Sequence, residues 1–184
     1  MLRCCVFIIL CAGAGFSQTP PDWARADREI LRLSPSSFPD LPAGISAELA
    51  RRGCTIPQVP MIDGRVNVVQ GHFARPDQTD WAVLCSVRSV SSILIFWNGS
   101  EANPSSIESR KDIDVMQSWT DGKIVFSRQI APVGKAYIMK HYTAYGGPKP
   151  PPLDHEGIDD RFVGKASVVQ YFYQGKWLRL TGSD

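Results

Sequence analysis

Two runs in this chain, Trp81-Ala-Val-Leu-Cys85 and Ile93-Leu-Ile-Phe-Trp97, are apolar at every position. Successive side chains of a strand point to opposite faces, so a strand with one wet face alternates apolar and polar residues. These two runs do not alternate, and they predict strands covered on both faces. Around them, β-branched and aromatic runs over 66–73, 81–87, 93–97, 113–119, 123–130, 135–142, 166–173 and 176–180 predict about eight strands. The pairs Asp63-Gly64, Asn98-Gly99, Asp121-Gly122 and Gln174-Gly175 punctuate them. Such pairs favour hairpins, because tight two-residue turns need positive φ. The expected fold is mainly β: an antiparallel meander of about eight strands, arranged as a propeller-like blade, a sandwich or an open barrel.

Two short helices are expected to precede it. Over 22–33, Trp23, Ala26, Ile30 and Leu33 fall near helical spacing, Asp22 can cap the start, and Ser34-Pro35 ends the run. Over 42–52, Pro42 suits a first turn, Ile45 and Leu49 share a face, and Gly53 stands where a C-terminal cap would.

The start of the chain reads as an export signal. Met1-Leu2-Arg3 is basic, Cys4 to Cys11 is a short apolar run, and Ala12 to Ser17 is a tail of mostly small residues. The expected organisation is a signal peptide at 1–17 and one domain over 18–184, with a helical lead-in at 18–53 and a β-rich remainder at 54–184. The product is expected to be secreted or periplasmic, without stable membrane insertion. Cys11 lacks the small residue that a bacterial lipidation site wants before it, since Leu10 stands there. Of the five cysteines, Cys4, Cys5 and Cys11 leave with the signal. Cys54 and Cys85 remain in an oxidising compartment and are expected to form a disulfide that ties the second helix to the sheet.

About 167 residues after cleavage are enough for a real core. Without Arg3, 19 basic residues face 18 acidic ones, scattered along the chain. No basic stripe is present, which argues against nucleic-acid partners.

Residues 68–100 combine Gly71-His-Phe73, a polar loop, Asp80 at the head of one apolar strand, and a second apolar strand ending at Asn98-Gly99. This order resembles one unit of the FG-GAP/VCBS repeat family, whose repeats form β-propellers. The resemblance implies a blade-like strand arrangement and a calcium loop between Gly71 and Asp80. In this chain that loop keeps Asp77 and Asp80 but also holds Arg75, which would repel a cation.

The long segment from Tyr145 to Asp160 is the other candidate site. Asp154, Glu156 and Asp160 surround Gly157 in the manner of a calcium loop, which needs several hard oxygen ligands and a permissive glycine. His155-Glu156 would begin a zinc motif, but Asp159 stands where the second histidine belongs. His72, His141 and His155 are the three histidines. No nucleophile elbow, phosphate loop or dinucleotide fingerprint accompanies them. Pro148 to Pro152 is expected to be a stiff linker, and Asn98-Gly-Ser100 matches a glycosylation sequon. Trp81, Trp97, Trp119 and Trp177 offer a stacking platform for sugars or, more simply, core residues. The expected role is a non-catalytic binding module with a protein or glycan partner. The alternatives are a hydrolase using His141 or His155 with the carboxylates of 154–160, and a calcium-stabilised structural module.

Overall fold

The structure, a computed structural model, describes residues 22–120 and 122–181. The expected signal peptide at 1–17 lies outside the described residues. The chain runs α1 (Trp23–Glu29), β1 (Arg32–Leu33), α2 (Ala43–Arg51), β2 (Ile56–Pro57), β3 (Val68–Gly71), β4 (Asp80–Val87), β5 (Val90–Phe96), β6 (Ser105–Lys111), β7 (Met116–Ser118), β8 (Ile124–Phe126), β9 (Arg128–Val133), α3 (Lys135–Tyr145), β10 (Gly157–Phe162), β11 (Ala166–Tyr173) and β12 (Lys176–Leu180). The fold is mainly β and antiparallel. Two four-stranded sheets, β3-β4-β5-β6 and β9-β10-β11-β12, carry it, and the pairs β1-β2 and β7-β8 flank them.

The unbroken apolar runs explain the layering. On β4 and β5, Trp81, Val83, Cys85, Leu94 and Phe96 face α2 and its approach, where Phe38, Leu41, Ile45, Leu49 and Ile56 are buried. The alternate residues Ala82, Leu84, Ile93 and Ile95 face Ile130 of β9 and Ile158 of β10. The first sheet is thus covered on both faces, as its sequence requires. The outer face of the second sheet buries Val133, Val169, Tyr171 and Leu180 against Ile138 of α3. The result is four layers, helix, sheet, sheet and helix, around two successive apolar interfaces and a third under α3.

Cys54 and Cys85 form the expected disulfide, with Cα atoms 5.2 Å apart and 31 residues of separation. It joins the end of α2 to the middle of β4. Closing a loop of this length removes denatured-state entropy worth about 3–4 kcal/mol. The double variant Cys54→Ser/Cys85→Ser is therefore expected to lose about that much stability in urea unfolding, while reduction leaves the variant's own midpoint unchanged.

Polar side chains fasten the two sheets at both margins. On one side Asn67, fully buried at φ 74, imitates a neighbouring strand. Its amide oxygen accepts from Ile130 N at 3.0 Å, and its amide nitrogen donates to Arg128 O at 3.1 Å and Pro57 O at 2.7 Å. The edge of β9 is satisfied this way without a ladder. On the other side Glu108, at φ 51 where β6 shifts register against β5, offers its carbonyl to Arg128 and its carboxylate to Arg110 and Gln170.

Several expected elements differ. The residues over 135–142 form a helix, α3, rather than a strand. Tyr137, His141 and Tyr145 recur every fourth residue and their rings pack in sequence, 4.3 Å and 5.7 Å between centroids, which is a helical spacing. The first helix stops at Glu29, because Arg32 turns away to reach Asp27 and the buried Asp112. The run over 123–130 divides at Ser127 into β8 and β9, where the chain passes from one sheet to another. Two strands carry too few apolar residues to be visible beforehand: β6, reading SSIESRK, and β10, reading GIDDRF. Among the described residues twelve strands stand in place of the expected eight or so.

Candidate functional site

The segment expected to be a calcium loop is half loop and half strand. β10 begins at Gly157, which is not a turn residue here. A Cβ at that position would stand 2.9 Å from Gln170 O and 3.0 Å from Val169 Cγ1, so glycine is required by the closeness of β11. Because strand residues alternate, Asp159 and Asp160 point to opposite faces. Asp160 turns between the sheets and takes a two-pronged ion pair from Arg128, Nε to Oδ1 at 2.8 Å and Nη2 to Oδ2 at 3.0 Å. Glu156 reaches the other way and accepts from His72 N at 2.8 Å, while its own N–H donates to His72 O at 2.8 Å. Asp154 is exposed at the surface, 3.4 Å from the Tyr171 hydroxyl. Asp154, Glu156 and Asp160 therefore serve three separate structural contacts and are not brought together. Among the described residues no cluster of three histidine, cysteine or acidic side chains is placed to hold a metal ion.

The loop between Gly71 and Asp80 is organised from within. Asp80 is fully buried and receives four N–H groups: Phe73 N and Ala74 N on Oδ2, Gln78 Nε2 and Asn98 N on Oδ1. Asp77 stays outside, beside Arg75 at 3.5 Å. The Asp80 carboxylate holds the loop to the end of β5, and its acceptor positions are filled.

The three histidines are also separate. His155 stacks face to face on Tyr171, centroids 4.3 Å apart, and its Nδ1 lies 3.0 Å from Glu156 O. His141 lies between Tyr137 and Tyr145 on α3. His72 Nδ1 lies 2.8 Å from Gln78 O. None of these contacts is with a serine, threonine or cysteine side chain, so no nucleophile–base pair forms among them.

Asp159, on the α3 side of β10, is the centre of a constellation that sequence reasoning missed. It is fully buried and accepts from Tyr137 Oη at 2.5 Å, from Arg161 Nε at 2.5 Å and from Ser167 Oγ. Two strands and a helix, β10, β11 and α3, converge on it, so only topology could reveal it. The Tyr137 phenol is pushed above the usual tyrosine range, first by burial and then by donating to the Asp159 carboxylate. Tyr171 is raised as well, first by burial, with the nearby Asp154 charge adding to it. A raised phenol favours the folded state while neutral. Its contribution is whole below the unfolded value near 10 and is lost as pH rises through the folded one. We expect a late component in the phenolate absorbance titration, above pH ~10, that shrinks in Tyr137→Phe.

The tryptophans do not share one platform. Trp97 and Trp177 stack at 5.8 Å, with Phe172 packed against both, and join the end of β5 to β11 and β12. Trp119 stands alone and exposed beside β7. Trp81 is different, because it lines a cleft of about 690 Å³. Phe38, Pro39 and Leu41 line it together with Val68 and Gln70 of β3. Asp40 and Arg65 stand exposed at its rim. The Trp81 indole N–H has no acceptor among the described residues. An apolar concavity with a few directional polar groups is the usual form of a binding site. No helix among the described residues is long and apolar enough to cross a membrane. No protein-family model matches this chain, and no curated protein or solved structure matches it either.

Proposed function

We propose that this chain is an exported binding module that holds an extended segment of a protein partner in the Trp81 cleft. The observation that carries the reading is the cleft itself: a mostly apolar lining that includes the Trp81 ring, with Gln70 and the exposed Asp40 and Arg65 as its polar groups. β3 is an end strand of its sheet and lines the cleft, so a peptide lying there would find main-chain groups beside it. The Cys54–Cys85 bond is consistent with maturation in an oxidising compartment.

The test is an NMR titration of the ¹⁵N-labelled protein with extended peptides of varied apolar and charged content, and with neutral oligosaccharides as the comparison set. Peptides are expected to shift the Trp81 indole N–H and the amides of Leu41, Val68 and Gln70. Asp40→Arg with Arg65→Asp, both at exposed positions, should reverse the preferred order of charges along the peptide. Shifts driven by the oligosaccharides alone, or peptide shifts that leave Trp81 unmoved, would overturn the reading.

A further inference from the structure

We propose a second binding site, for a compact oxyanion, in the groove between α3 and the β10–β11 turn. The groove has a volume of about 520 Å³. Its walls include Gln129, Tyr137, Arg161, Phe162, Lys165 and Ser167, and no carboxylate among the described residues lines it. The nearest acid, Asp159, lies fully buried beneath and is already engaged by three donors.

The geometry orders the cationic groups. Gln129, Arg161 and Ser167 stand opposite one another on β9, β10 and β11, so their side chains form one row across three strands. Arg161 gives only its Nε to Asp159, at 2.5 Å. Its terminal nitrogens meet only Tyr137 among the described residues, with Cζ 6.0 Å from that ring's centroid, and its side chain is 35% exposed. A buried carboxylate therefore fixes the guanidinium and leaves its other edge toward the groove. The side-chain amide of Gln129, next to it in the row, has no partner among the described residues either. Lys165 brings a second positive charge, its Nζ lying 4.9 Å from the centroid of the Phe162 ring. A guanidinium edge, an ammonium and an amide on one groove match the acceptor pattern of a carboxylate, sulfate or phosphate group.

The experiment is titration of the full mature protein with inorganic sulfate, inorganic phosphate and acetate in separate arms, read by the Arg161 side-chain ¹⁵N signals and the amides of 161–167. Saturable shifts at these positions are expected in at least one arm, and the arms identify which oxyanion is held. Arg161→Lys keeps a cation for Asp159 but loses the fork, and should weaken binding about tenfold. Lys165→Gln changes only an exposed side chain and should weaken it by a smaller factor, with the thermal midpoint unmoved. Arg88→Gln, on the β4–β5 hairpin and outside the lining of the groove, should leave binding unchanged. Shifts that do not saturate in any arm, or that survive both groove variants at wild-type affinity, would overturn the proposal. None of these outcomes depends on what occupies the Trp81 cleft.

Discussion

Replacing Arg128 by methionine is expected to destabilise the protein by about 3–5 kcal/mol. Arg128 is 1% exposed and is the largest fully buried side chain among the described residues. Its guanidinium meets Asp160 through two nitrogens, and it also donates to Ser91 O at 3.0 Å and Glu108 O at 2.7 Å. One side chain thus joins β9 and β10 to β5 and β6. Methionine fills similar volume, so the loss comes from polarity: the buried Asp160 carboxyl loses its two-pronged partner and is left with Arg110, 3.4 Å away, as the remaining basic group beside it among the described residues. The double variant Arg128→Met/Asp160→Leu removes the stranded charge and should recover part of the loss. Recovery stays incomplete, because two carbonyls still lack their donor. Urea unfolding of the two single variants and the double variant measures the coupling. A single variant within about 1 kcal/mol of wild type would mean that the pair contributes little net stability, as some buried pairs do.

The second large effect is at Asp80. Asp80→Ala is expected to cost about 3–4 kcal/mol, because four N–H groups lose a charged acceptor at once and three of them are main-chain donors. Phe73, which the loop delivers into the core fully buried, then loses its anchor. Asp80→Asn keeps one oxygen and turns an amide against the remaining donors, so an intermediate loss is expected. Hydrogen exchange should quicken first at Phe73, Ala74 and Asn98. Chelator treatment of the wild type should leave the midpoint in place, since the carboxylate is occupied by N–H groups. A chelator-sensitive midpoint would return this loop to the calcium chemistry that its resemblance implies.

Part of this architecture can be read directly from the residues. The runs at 81–85 and 93–97 require cover on two faces, and they have it. α2 is legible because Ile45 and Leu49 share a face and Gly53, at φ 72, turns the chain toward Cys54. The Gln174-Gly175 pair closes the β11–β12 hairpin, with both residues at positive φ. The tip of the β4–β5 hairpin is illegible, since Arg88 and Ser89 adopt positive φ without glycine or asparagine. Their conformation is imposed by seven ladder pairs behind them rather than by local preference. β6 and β10 escape notice for a related reason: their polar residues are satisfied by partners far along the chain.

The candidate sites divide in the same way. Trp81 is visible as an aromatic residue, but its place in the lining of a cleft depends on where Phe38 and Arg65 arrive. Asp154, Glu156 and Asp160 look like a ligand set only while 154–160 is imagined as one loop. Once Gly157 opens a strand, alternation sends Asp159 and Asp160 apart, one to Tyr137 and Arg161, the other to Arg128. The residues by themselves determined the paired cysteines, the helix that precedes the sheet and the doubly covered strands, because each follows from local spacing or from apolar surface that must be buried. Which charged groups meet was decided only in three dimensions, because a buried charge takes whatever partner the packing of distant strands brings within reach.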